Sequence, residues 1–257
     1  MPERERLYRT EGIVLKRSDF GEADRLLVLI TPEYGKLRVL AKGVRKVPSR
    51  KAGHVEPLMR TQFLLARGRD LDIVTQAEAV EVYQGLRGDL SRTGYAFYVA
   101  ELVDAIAEEG GECRALYGLV DETLTRLAAG DEPTLLMRFF EVHLLECAGY
   151  RPELQQCVTC GARHEPTDVY FSFSEGGARC PRCSEGAPGL LRLSLNAFKV
   201  LRYLQANPYS AISGLRLRPQ TARELEMVLQ RYLVWVLERN LKSLGFLSRV
   251  QGRVSDT

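Results

Sequence analysis

Four of the six cysteines stand in two pairs, Cys157-Val158-Thr159-Cys160 and Cys180-Pro181-Arg182-Cys183, with nineteen residues between the pairs. This spacing falls in the range of zinc sites. Two cysteines two residues apart can present both sulfurs to one metal from a tight turn, and Gly161 supports such a turn. Two turns then supply the tetrahedral four-sulfur shell that Zn²⁺ accepts. We therefore expect Cys157, Cys160, Cys180 and Cys183 to hold one structural Zn²⁺. Four thiolates leave no open position for water, which argues against a catalytic metal. Disulfides do not suit a reducing compartment. A thioredoxin-type redox motif would need one pair beside a βαβ unit, and iron–sulfur clusters usually use other spacings. His164 is a further candidate ligand, but four cysteines make it unnecessary. Cys113 and Cys147 lie on expected helix faces or ends and read as ordinary buried or half-buried thiols.

The rest of the chain divides around this insert. In residues 1–80, short apolar runs at Ile13–Leu15, Leu26–Ile30, Leu37–Ala41, Phe63–Ala66 and Leu71–Thr75 alternate with turn signals such as Thr31-Pro32-Glu33-Tyr34-Gly35 and Val47-Pro48-Ser49. Five short strands fit a small closed barrel, and both an OB-fold and an SH3-like barrel have that count. Residues 81–152 change to helical periodicity. Tyr95, Tyr98, Val99, Leu102 and Ile106 form one stripe, and Leu116, Leu119, Val120, Thr123, Leu124 and Leu127 form the next. A third helix runs from Thr134 to about Cys147. Residues 153–192 form a loop-rich insert around one strand candidate, Val169–Phe173. Helices resume over 193–247. Ser194 caps one that runs to about Gln205. A longer one starts near Pro219, with Thr221-Ala222-Arg223-Glu224 as a capping box, a stripe from Leu225 to Leu244, and Gly245 as its stop. Residues 248–257 read as a tail. The fold class is thus α+β and multi-domain.

Net charge is only +3, yet it is unevenly spread. Residues 1–80 carry 16 Lys and Arg against 11 Asp and Glu, residues 81–150 carry 5 against 13, and residues 151–257 carry 15 against 9. No acidic residue stands between Glu33 and Glu56, a window holding seven cations: Lys36, Arg38, Lys42, Arg45, Lys46, Arg50 and Lys51. Strand period two puts Leu37, Val39 and Ala41 on the core face and Lys36, Arg38 and Lys42 on the other. The basic loop from Gly43 to Gly53 continues the run. A charged strand face with a charged loop suits a phosphate backbone. The plainer alternative is a solvated strand face. Tyr34 and Phe20 are the few aromatic candidates for base stacking, which points to backbone binding without base readout.

The chain has no GxxxxGK[ST], GxSxG, HExxH or GxGxxG after a strand. Its three histidines, His54, His143 and His164, fall in different parts, and His143 reads as a packed helix residue. These absences favour a binding protein over an enzyme. The charged start lacks a secretory leader and no run is long enough to span a membrane, so a cytoplasmic, nucleoid-associated protein is expected.

Together these residues carry a resemblance. Glu11-Gly12-Ile13-Val14-Leu15-Lys16 and Phe20-Gly21-Glu22-Ala23-Asp24-Arg25-Leu26 resemble the start of the bacterial DNA repair protein RecO family. So do Gly35-Lys36-Leu37, Ala41-Lys42-Gly43-Val44-Arg45, and Gly149-Tyr150-Arg151-Pro152 followed by Cys157-Val158-Thr159-Cys160-Gly161. The resemblance runs in order along nearly the whole chain, and the Met1–Arg6 extension is its one departure. It implies an N-terminal OB-fold and a helical domain with a zinc-binding insert. It implies a non-catalytic recombination mediator of the RecF pathway. Such a protein binds single- and double-stranded DNA, anneals complementary strands, and helps RecR, with RecF in some bacteria, to load RecA onto strands coated by single-strand-binding protein. Some members hold the acidic C-terminal tail of that binding protein in a groove of the helical domain, for which Arg126, Arg202 or Arg231 could supply the cation. Two rival readings are a protein-assembly module that touches DNA only incidentally and an undetected nucleic-acid enzyme.

Overall fold

The computed structural model describes residues 6–47 and 49–237. The expected tail, the part of the last helix stripe that reaches Leu244 with its stop at Gly245, Pro48 of one turn signal and Met1–Glu5 of the extension lie outside the described residues.

Five strands open the chain: β1 Leu7–Phe20, β2 Asp24–Thr31, β3 Gly35–Ala41, β4 Arg60–Ala66 and β5 Asp72–Glu81. They close into a barrel in the order β1-β2-β3-β5-β4, sealed by β1 against β4 and by a parallel β3–β5 pairing at Val39 with Asp72 and Leu40 with Ile73. β1 far exceeds its expected three residues, because one long strand serves two partners. Its first half pairs with β4 and its second with β2, and a bulge between Val14 and Lys16 turns it from one to the other. Apart from buried Thr10 its polar residues are exposed or half-buried, so the apolar run seen in sequence marked only its fully buried part. The core holds Val14, Leu27, Leu29, Val39, Ala41, Val44, Val55, Phe63, Leu65 and Val74. The alternation expected in β3 is present: Val39 and Ala41 are buried, Leu37 is packed against the core, and Arg38 is exposed. Gly35 closes the β2–β3 turn at φ +62°, and a Cβ there would lie 2.7 Å from the Gly110 carbonyl oxygen, so only glycine fits.

Three helices follow: α1 Leu90–Ile106, α2 Arg114–Ala129 and α3 Pro133–Cys147. Asp89 caps α1 by accepting the Arg92 N–H, Gly130 ends α2 in the left-handed region, and Pro133 with Glu132 starts α3. The chain divides into two compact units. One runs to Gly130 and the other starts at Asp131. The change from strand to helix near residue 81 therefore does not coincide with the division into units, because α1 and α2 pack on the barrel. The reason is a polar clamp. Asp121 of α2 accepts the Tyr83 hydroxyl at 2.6 Å and pairs with Arg60 of β4 at 3.0 Å, and Tyr117 donates to Glu11 of β1 at 2.7 Å.

The second unit holds α3 and a three-stranded sheet of β6 Val169–Ser172, β7 Gly177–Arg179 and β8 Leu191–Leu193, in the order β7-β6-β8. Short α4 Pro181–Ser184 precedes β8, and α5 Leu195–Ala206, α6 Tyr209–Ile212 and α7 Pro219–Leu237 follow it. Only β6 was expected; β7 and β8 are three residues each, too short to show a period. Ser194 caps α5 as expected, accepting the Ala197 N–H. The expected capping box at Thr221 is not formed. The helix begins at Pro219, whose fixed φ suits a first helical position. Thr221 is therefore buried inside the first turn, and Glu224 accepts the Ser194 N–H at 2.9 Å.

Candidate metal centre and basic barrel face

The sulfurs of Cys157, Cys160, Cys180 and Cys183 all lie within 4.8 Å of one another. A tetrahedron with Zn–S bonds of about 2.3 Å has edges of about 3.8 Å, so this cluster fits Zn²⁺ with small adjustments. The scaffold explains the convergence. Gly161 at φ +71° turns the chain after the first pair, and its N–H donates to the Cys157 carbonyl at 2.9 Å. Val158 donates to the Ala178 carbonyl, tying the first turn to β7 two residues before Cys180. Cys180 caps α4, which carries Cys183, and its N–H reaches the Cys157 sulfur at 3.4 Å. Burial opposes ionisation of Cys157, but N–H groups of Cys180, Cys160 and Thr159 outweigh it and bring the thiol down to about 6. Cys183, hydrogen-bonded to Cys180 and Cys160, is pushed up to about 12. Four sulfurs this close cannot all ionise by themselves, whereas a divalent cation favours four thiolates. These four residues could hold a metal, which would supply a cross-link between the two turns.

His164 is not in the cluster; its ring packs edge-on against Phe198 with centroids 5.1 Å apart. His143 is a packed helix residue, with Nε2 3.2 Å from the Leu204 carbonyl and Phe139 beside its ring. Cys113 is half-buried and donates to the Thr31 carbonyl, and burial raises its pKa. Cys147 is exposed rather than half-buried.

The seven cations of the acid-free window do not act alike. Lys36 donates to the Asp104 carbonyl at 2.7 Å, with the Asp104 carboxylate at 3.6 Å. Lys51 donates to the Val74 carbonyl at 2.9 Å, and burial lowers its pKa against the pull of Asp24. Arg45 faces Asp19 at 3.4 Å and the Gly21 carbonyl. Arg38, Lys42, Lys46 and Arg50 are exposed and have no ion-pair partner among the described residues. Sequence reasoning could not separate the two groups, because the partners at Asp104 and Val74 are distant in the chain. Phe20 is exposed at the end of β1, and Tyr34 packs on Tyr8 at 4.9 Å between centroids, with Arg67 over the Tyr8 ring.

Sequence reasoning also missed a polar cavity of about 380 Å³ on the first unit, lined by Arg9, Arg50, His54, Gln62, Gln76 and Glu78. The only signal was the alternation Gln76-Ala77-Glu78-Ala79 in β5. On α7, Met227 and Trp235 are 45% and 46% exposed, one turn either side of exposed Arg231. Of the other two candidate cations, Arg126 is held by Glu122 and Arg202 by Gln155 at 2.6 Å. Among the described residues no helix is long and apolar enough to cross a membrane.

The geometry defines an α+β protein in which a five-stranded basic barrel precedes a helical part bearing a four-thiol cluster. Its two parts match, in chain order, the family models for the Recombination protein O N terminal, over residues 5–83, and the Recombination protein O C terminal, over residues 87–245. A DNA repair protein RecO from Roseiflexus sp. (strain RS-1) is 46% identical over 248 residues, covering 96% of this chain and 87% of that one. One from Pelotomaculum thermopropionicum is 41% identical over 245 residues, covering 95% and 94%. Another, from Dehalococcoides mccartyi, is 35% identical over 244 residues, covering 95% and 96%. The chain belongs to the RecO family.

Proposed function

We propose that this chain is a non-catalytic DNA repair and recombination mediator. Residues 1–80 form an OB-fold that binds single- and double-stranded DNA. A five-stranded closed barrel ordered β1-β2-β3-β5-β4 supports that assignment. The observation that carries the DNA reading is the set of four exposed, unpaired cations, Arg38, Lys42, Lys46 and Arg50, on one acid-free segment of the barrel. Phosphates recur along a strand without regard to sequence, and cations on a strand face and loop neutralise them. Two complementary strands repel each other, so neutralisation lets them meet and anneal. Lys51 and Arg45 hold the loop, Lys36 ties β3 to α1, and all three contribute less to binding.

The Cys157, Cys160, Cys180 and Cys183 cluster holds structural Zn²⁺ and supports the second unit. The partners are RecR, in some settings RecF, RecA indirectly, and the C-terminal tail of single-strand-binding protein. That tail is acidic with an apolar end. Arg231 between Met227 and Trp235 offers a free cation beside exposed apolar side chains, which favours it over Arg126 and Arg202. Titrating labelled single-stranded DNA at rising salt tests the electrostatic core. Four phosphate contacts on a single strand give a log–log slope of about −2.8. A slope near zero would remove the basis for annealing.

A further inference from the structure

We propose that the cavity on the outer side of β1, β4 and β5 seats one unpaired nucleotide and reads its base for an exocyclic amino group. The inference rests on the DNA-binding reading above and extends it from backbone to base. Two rows of side chains cross these strands. Strand pairing aligns Arg9, Leu64 and Gln76 in one row and Glu11, Gln62 and Glu78 in the next. The β3–β4 segment passes one end of the cavity. There His54 Nδ1 accepts the Ala79 N–H at 3.1 Å, and the His54 carbonyl accepts the Thr61 hydroxyl at 2.7 Å. Because Nδ1 accepts, the ring proton sits on Nε2, making that nitrogen a donor. Arg50 lies on the same segment and lines the same cavity.

None of Arg9, Arg50, Gln62, Gln76 and Glu78 has a side-chain hydrogen bond or ion pair with another described residue. Two cations, two amides and one carboxylate thus surround half-buried Leu64 with no partner among the described residues. A free phosphate would use the arginines and be repelled by Glu78. A nucleotide within a strand uses the whole set. Its flanking phosphates take Arg9 and Arg50, its base lies over Leu64, and its edge meets the amides and the carboxylate. A volume of about 380 Å³ lies within the range in which proteins hold small organic groups. Glu78 accepts but cannot donate; an amino group at the base edge, as in adenine, cytosine or guanine, gives it an N–H, whereas the one N–H of unpaired thymine stands between two carbonyl oxygens that repel a carboxylate, so bases with an amino group are favoured over thymine. A base paired and stacked in a duplex cannot leave its neighbours to lie over Leu64, so the cavity takes an unpaired nucleotide. Arg50 joins this cavity to the basic loop, so one strand could run from the loop into it.

The test is binding of full-length protein to oligo(dA), oligo(dC) and oligo(dT), and to a mixed duplex, by fluorescence anisotropy. Wild type should prefer dA and dC strands over dT by about tenfold. Glu78→Ala should abolish that ratio while leaving duplex affinity intact. Glu78 is exposed, so the variant should fold, and the ratio compares strands on one preparation. Gln76→Ala should narrow the same ratio. Equal wild-type binding of the three strands, or a preference that survives Glu78→Ala, overturns the proposal while leaving backbone binding in place. Failure of wild type to bind any strand or duplex overturns both this proposal and the DNA-binding reading.

Discussion

At the scale of single residues, the four cysteines make the sharpest predictions. Cys180→Ser removes one of the four thiolates, so the variant should lose its zinc and melt earlier while the first unit stays folded. Metal analysis and thermal unfolding measure both effects; a variant that keeps full stability without zinc would contradict a structural role. The pH dependence has a definite sign. The folded value of Cys157, about 6, lies below the ordinary thiol range, so its contribution to stability is present above that range and is lost as pH falls through about 6. Zinc binding needs all four thiols deprotonated, so zinc release to a chromogenic chelator should rise as pH falls. Arg231→Ala should weaken binding of an acidic tail peptide severalfold, and Arg126→Ala should leave it unchanged. The cysteine cluster was legible in the sequence because its spacing is local. The fate of the cations was not. Lys36 and Lys51 look identical to Lys42 and Lys46 until the fold brings Asp104 and the Val74 carbonyl to them.

At the scale of elements, local periodicity carried most of the reading. α1, α2 and α3 and the five barrel strands were expected, but β1 was seen as three residues because its first half buries only alternate residues and its last five are exposed or half-buried. β7 and β8 were missed because three residues show no period. The clamp of α2 on the barrel was invisible, since Tyr83, Arg60, Glu11, Asp121 and Tyr117 come together only in the fold. It makes its own prediction. Burial, and then hydrogen bonds to Asp121 and Glu11, raise Tyr83 and Tyr117 well above the ordinary tyrosine value of about 10. Their contribution is therefore complete below about pH 10 and is lost as pH rises beyond it, because the unfolded chain ionises first. Tyr83→Phe should cost about 1.5–3 kcal/mol at neutral pH and make unfolding of the first unit less sensitive to alkali. Equal alkaline sensitivity in denaturant titrations of the two proteins would show that the clamp does not anchor α2.

At the scale of the whole molecule, the uneven charge has a structural counterpart. The excess of cations at the start of the chain sits on the barrel, and four of the seven in the acid-free window have no ion-pair partner among the described residues. The acidic middle supplies Asp104 and Asp121, which hold Lys36 and Arg60 on the barrel. A fragment ending at Gly130 keeps these partners, so it should fold and bind DNA. A fragment ending at residue 80 loses them, together with Tyr83, and should be markedly less stable. The proposed role requires the free cations to bring strands together. Its most direct measurement is the rate at which the full chain anneals complementary strands, for wild type and for a variant with Lys42, Lys46 and Arg50 replaced by Ala. Wild type should accelerate annealing in low salt, and the variant should lose most of that acceleration while keeping its fold and its zinc. A variant that anneals as fast as wild type would contradict the claim.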